Sequence, residues 1–182
     1  MTGWGSTVVR REEPRRSGRR PWIGLGPAWV APEPIGALSP RSYEAVLTAL
    51  EDERKARAFH SAVLARFPDA MPFRMIVEAE TRHAEALAGL LRRRGLTVPP
   101  DRHLDGEAAR RAVPATVGCA LRVAVAGVER TVALYEEELL ARVAGLADVE
   151  RVVRRLGEAA RDRHLPAFRH WVDHHHPRGG RA

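Results

Sequence analysis

Apolar residues recur at spacings of three and four in four long stretches, separated by segments rich in proline and glycine. The first helix is predicted to open at Ser39, a capping residue, with Pro40 in the first turn where a missing N–H costs nothing. Its inner face reads Tyr43, Val46, Leu50, Glu53, His60, Leu64 and Phe67, and Phe67-Pro68-Asp69 ends it. The second helix runs from about Pro72 to Arg94, with Gly95 supplying a left-handed stop. Its face carries Phe73, Ile76, Val77, Leu87, Leu90 and Leu91. Residues 95–114, with Pro99, Pro100, Gly106 and Pro114, read as irregular. A connection of about twenty residues is intelligible if the chain travels the length of a helical domain before the next helix, which sets helices two and three parallel.

The third helix is expected from about Ala115 to Arg142, and its first half is apolar around most of its circumference. Glu129 is placed on an inward stripe with Val125, Ala126, Val132 and Ala133, and Glu136 falls two turns further on. After Gly145 the fourth helix begins near Asp148 and turns Val152, Val153, Leu156, Ala160, His164, Phe168 and Trp171 inward. Pro166 should disturb it by removing a hydrogen bond.

Four of these faces carry groups that an apolar interior rejects unless they are paired. Glu80 and His83, three residues apart, project from adjacent turns within the apolar stripe of helix two. A carboxylate and an imidazole aimed into a helical core need a partner, and a metal ion is the obvious candidate. Glu53 with His60, Glu129, and His164 are the comparable groups on the other helices.

These residues carry a family resemblance. Glu53-Arg-Lys-Ala-Arg57 resembles the Glu-x-x-Ala-Arg of rubrerythrin-like proteins, with His60 where those proteins often place a tyrosine. Glu80-Thr-Arg-His83 is a full Glu-x-x-His, and Gly127-Val-Glu129 resembles that family's Gly-x-Glu. His164-Leu-Pro-Ala-Phe168 resembles the His-Leu-x-Ala-Phe of an uncharacterised bacterial branch of ferritin-like domains. The resemblance covers about residues 38–172. It implies an all-α, ferritin-like four-helix bundle with a long crossover between helices two and three, whose family site takes a Glu from each of two helices and a Glu-x-x-His from each of the others. The implied ligands are Glu53, Glu80, His83, Glu129 and His164, holding one or two ions of iron, manganese or zinc, with His60 or Glu136 as substitutes. Oxidase or peroxide-handling activity, a small oxidant such as oxygen or peroxide, and a homodimer are implied by the same resemblance.

One position departs from the pattern. Three residues before His164 stands Arg161, where the family has Glu. The alternative is a vestigial site in which Arg161 balances Glu53, Glu80 and Glu129, leaving a non-catalytic bundle that serves as an interaction or structural module.

Composition narrows the remaining classes. A chain of 182 residues with 45% hydrophobic and 29% charged residues is globular, with 1–37 as a basic, Pro/Gly-rich tail, 38–173 as the bundle and 174–182 as a flexible end. The net charge of +7 is carried by arginine, Lys55 being the only lysine. That charge suits an anionic partner, which the basic tail of a non-catalytic bundle would contact, and an arginine-for-lysine bias throughout equally reflects coding composition; nucleic acid is not the expected partner. Cys119 stands alone, which excludes an internal disulfide. No stretch is long and apolar enough to span a membrane. Ser17-Gly-Arg-Arg20 before an apolar stretch would begin a twin-arginine export signal, but Pro21, Pro27, Pro32 and Pro34 interrupt it, and a cytoplasmic location is expected. Phosphate-loop and Gly-x-Ser-x-Gly signatures are missing, so kinase and serine-hydrolase chemistry has no support.

Overall fold

The computed structural model describes residues 36–103 and 106–174, and every regular element among them is helical. Helix α1 spans Pro40–Arg66 and α2 spans Phe73–Arg93. The short α3, Glu107–Ala112, lies within the crossover. Helix α4, Val117–Ala133, continues through a π-helical stretch, Leu134–Leu139, into α5, Leu140–Val143. Helix α6, Ala147–Ala159, passes through a second π-helical stretch, Ala160–His164, into α7, Leu165–His174. Four long rods and one short helix result. None of them is long and apolar enough to cross a membrane. The N-terminal segment with Trp22, Trp29 and the arginine pair, and the C-terminal tail after His174, lie outside the described residues.

Local chemistry accounts for the ends. The Ser39 hydroxyl accepts the Ser42 N–H at 3.1 Å, with Pro40 beginning the helix, as the sequence requires. At the end of α2, Gly95 adopts φ 68°, and the Leu96 N–H returns to the Leu91 carbonyl at 3.0 Å. Pro166 falls two residues after the second π-helical stretch ends. Because proline cannot donate to the turn before it, the widened turn there is where the expected disturbance appears.

Two apolar clusters give the rods their directions. One gathers Ala45, Val46, Ala49 and Leu50 of α1, Leu87, Leu90 and Leu91 of α2, Leu139 and Val143 after the first π turn, and Val149, Val153 and Leu156 of α6. The other gathers Ala62 and Val63 of α1, Phe73 and Ile76 of α2, Ala120, Leu121, Ala124 and Val128 of α4, and Ala160, Leu165 and Phe168. Reading each rod from one cluster to the other, α1 and α6–α7 run one way, and α2 and α4–α5 run the other. Helices α2 and α4 are therefore parallel, and the crossover climbs the full length between them, from Leu96 and Val98 beside the first cluster to Val113 in the second. Each fully buried Leu, Phe or Val contributes about 1.5–3 kcal/mol relative to exposure.

The outer face of α1 holds the crossover in place. Arg54 donates to the Pro99 carbonyl at 3.0 Å and reaches Asp101 at 3.6 Å. Arg57 also donates to Asp101, and His103 bonds Glu51 at 2.7 Å. A bidentate Arg94–Asp148 pair, both bonds 2.8 Å, ties the end of α2 to the start of α6.

Candidate metal centre

Apart from Ser42, the buried polar or charged side chains among the described residues sit at the level between the two apolar clusters: Glu53, His60, Glu80 and His164. Half-buried His83 and fully buried Tyr135 join them. Helix α1 supplies a glutamate and, seven residues on, a histidine, and α2 supplies a glutamate and, three residues on, a histidine. Antiparallel packing then pairs each glutamate with the other helix's histidine. His60 Nδ1 lies 2.9 and 3.0 Å from the two Glu80 oxygens, and His83 Nδ1 lies 3.2 Å from Glu53 Oε2. The Tyr135 hydroxyl donates to Glu53 Oε1 at 2.9 Å.

The second pair of rods completes the band differently. His164 stacks on His83 with ring centroids 5.6 Å apart and makes no hydrogen bond to a described residue. The rings of Phe59, Phe73 and Phe168 surround His60 at 5.5, 5.5 and 5.2 Å. A cavity of about 390 Å³ opens onto the cluster.

Burial sets the electrostatics. It raises the Glu80 carboxyl above the ordinary carboxylate range, against the opposing pull of His60. Burial, reinforced by His83 and His60, lowers His164 to about 4, so its imidazole is neutral at physiological pH. Burial, with Glu53 beside it, raises Tyr135 well above the ordinary phenol value, which keeps the hydroxyl a donor.

Of the residues singled out from the sequence, Glu53, Glu80, His83 and His164 come together, and His60 joins them. Glu129 does not. It is exposed and bonded to Arg169 at 2.8 Å. The inward side of α4 carries Ala120, Leu121, Ala124 and Val128, one residue away from the stripe assigned to Glu129. One residue is a rotation of about 100°. A helix apolar over most of its circumference leaves that rotation undetermined, and packing settles it. Arg161 also points outward, donating to Glu136 at 2.6 Å and to both Asp162 oxygens, so it does not fill the cluster. Glu136 is thereby held on the surface as well.

Tyr135 escaped the sequence reading. It lies seven residues after Val128 on the true inward stripe, and only the correct rotation of α4 would have exposed it.

Comparison with protein-family models, curated proteins and solved structures finds no match to this chain.

The cluster's chemistry suits a divalent first-row ion, since carboxylate oxygens and a neutral imidazole are its usual donors. As the side chains stand, no three His, Cys, Asp or Glu donors among the described residues are gathered closely enough to hold an ion. Each carboxylate is instead bonded to an imidazole. By donor type the residues suit such an ion, which would have to displace the proton shared by each pair and draw the two pairs together.

Proposed function

We infer that the chain is a ferritin-like metal-binding protein whose centre comprises Glu53, His60, Glu80, His83 and His164. The observation that carries this reading is the reciprocal pairing of two buried glutamates with two histidines, beside a third, neutral histidine that has no hydrogen-bond partner among the described residues. The parallel course of α2 and α4, with a full-length crossover between them, supports the ferritin-like reading of the fold. Iron, manganese or zinc matches the donors. When bound, iron or manganese supplies redox chemistry toward oxygen or peroxide.

The chain's own groups prepare that site. Glu53 and Glu80 provide the negative charge that burial otherwise disfavours. The Tyr135 hydroxyl fixes the orientation of the Glu53 carboxylate, and the phenylalanine rings around His60 exclude water from one side of the centre.

A second reading rests on the same hydrogen bonds. The cluster satisfies itself, with histidines rather than Arg161 balancing the carboxylates, which supports a metal-free helical interaction or structural module.

Elemental analysis separates the two. The protein is prepared without affinity resin, with His174, His175 and His176 replaced by alanine so that terminal histidines collect no ions. Stoichiometric metal that falls to background in Glu80→Ala supports the metal centre. Background metal in the parent protein, after incubation with ferrous, manganous and zinc ions in turn, sinks it.

A further inference from the structure

Helix α7 ends with a second group of imidazoles, apart from the buried cluster. Phe168 is fully buried, and Trp171 and Val172 pack against the apolar cluster beside it, which fixes the rotation of the last turns. His170 and His174, four residues apart, therefore share the outward face, and both are exposed. Their rings lie side by side, with centroids 4.2 Å apart and planes 27° from parallel. His174 Nδ1 lies 2.7 Å from the His170 carbonyl oxygen. A carbonyl only accepts, so Nδ1 carries the proton, and Nε2 of the neutral ring keeps its lone pair. The ring nitrogens of His170 make no hydrogen bond to a described residue. His164 of the cluster is buried on the same rod, roughly 9 Å back along its axis.

A hydrogen bond from one ring nitrogen to a backbone carbonyl is how metal-ligating histidines are commonly held, because it orients the ring and raises the basicity of the other nitrogen. We propose that His170 and His174 form a surface site for a divalent ion that prefers imidazole (zinc, copper or nickel), bound through one nitrogen of each ring. A single exposed imidazole holds such an ion weakly. The second, one turn away, meets an ion that is already at hand, so the pair binds far better than either ring alone. Arg169, next to His170 in the chain, is engaged with Glu129 at 2.8 Å, and exposed Asp173 makes no ion pair with a described residue. The charges beside the two rings in the chain therefore do not oppose a cation. No third His, Cys, Asp or Glu donor is gathered with them among the described residues, so water takes the remaining positions and the ion exchanges. Calcium and magnesium, which demand oxygen donors, are not held. The site shares no residue with the buried centre and does not depend on it.

The test is titration of the full chain with zinc chloride, followed in proton–nitrogen correlation spectra of the histidine rings. Before zinc is added, His174 is expected in the tautomer protonated at Nδ1. On titration the His170 and His174 rings should shift together with one apparent Kd, and calcium chloride at the same concentrations should shift neither. His170→Ala should weaken zinc binding at His174 by at least about tenfold, with circular dichroism unchanged because the position is exposed. His175→Ala/His176→Ala and, separately, Glu80→Ala should leave the paired shift in place. Independent movement of the two rings overturns the proposal, as does undiminished zinc affinity in His170→Ala. Loss of the paired shift in His175→Ala/His176→Ala overturns it too, by showing an adventitious ion on the terminal run only. The rings of His60, His83 and His164 report on the buried centre in the same spectra. Zinc shifts confined to those three overturn the surface site and leave the centre standing, and shifts confined to His170 and His174 support the surface site and deny zinc to the centre.

Discussion

The two pairs of rods that enclose the site are built differently. Helices α1 and α2 are uninterrupted, and together they supply both buried carboxylates and two of the three histidines. The rods α4–α5 and α6–α7 are each broken by a π-helical stretch at the level of the site, and they supply Tyr135 and His164, groups that carry no charge at physiological pH. Their acidic residues, Glu129 and Glu136, face outward into arginine pairs. A symmetric four-carboxylate centre is therefore not what this chain makes. Charge enters from one side, and shape and a neutral donor come from the other. A π turn adds a residue to a helical turn and so rotates the remainder of the rod by about 100°, which gives each broken rod its own facing on either side of the site.

This asymmetry can be broken most severely at the contact between the halves. Phe168 packs its ring on Phe73 at 5.1 Å and on His60 at 5.2 Å. Phe168→Ala is expected to cost about 3–5 kcal/mol in urea unfolding and to lower metal uptake through His60. A cost below about 1 kcal/mol would show that the halves do not depend on that ring.

Acid attacks the neutral side first. His164 has a folded-state pKa of about 4, against about 6.5 for an unperturbed histidine. Below that unperturbed value the unfolded chain takes up a proton that the folded chain refuses, so stability falls as pH drops from about 6.5 to about 4 and then levels off. The full loss is about 3 kcal/mol, and His164→Phe should flatten this part of the pH profile. Glu80 acts in the opposite sense. Its raised pKa means that the folded state holds its proton more tightly, so its contribution declines as pH rises above the ordinary carboxylate value.

A gentler perturbation sits behind Tyr135. A Cβ added at Gly157 would stand 3.2 Å from the Tyr135 Cβ, inside normal packing distance. Gly157→Ala should therefore displace the ring and weaken its bond to Glu53, at a cost of about 1–3 kcal/mol. Tyr135→Phe removes that bond without the steric push and should cost about 1.5–3 kcal/mol. If thermal unfolding shows neither variant destabilised, Tyr135 does not orient Glu53.

The smallest effects belong to the outward-facing residues. Glu129→Ala and Arg161→Ala should leave metal content unchanged and unfolding midpoints within experimental error, because exposed pairs are screened by water. Loss of metal in Glu129→Ala would show that α4 turns inward in solution, contrary to the arrangement described.

Much of this organisation is legible in the chain before folding. Ser39, Pro40 and Gly95 mark their helix ends through backbone chemistry that acts within a few residues. The stripe of α2 turns Glu80 and His83 toward the interior, and on α1 the buried Val46, Leu50 and Val63 share a face with Glu53 and His60. The length of the 95–114 segment indicates a crossover, although α3 within it is too short to leave a period. Where the stripe widens, the information fails. In α4 several rotations bury comparable apolar area, so Glu129 looks inward by its spacing while Val128 and Tyr135 occupy that side in the fold. The same holds for Arg161: its distance from His164 in sequence suggested the site, and a π turn together with Glu136 and Asp162 carries it to the surface. Local propensity and periodicity determined which segments are helices and set two glutamates and two histidines on the inward faces of α1 and α2, and packing of those helices paired each glutamate with the other helix's histidine. Only tertiary packing decided the facing of the second pair of rods, because contacts with α1 and α2 choose among rotations that the sequence leaves nearly equal in energy.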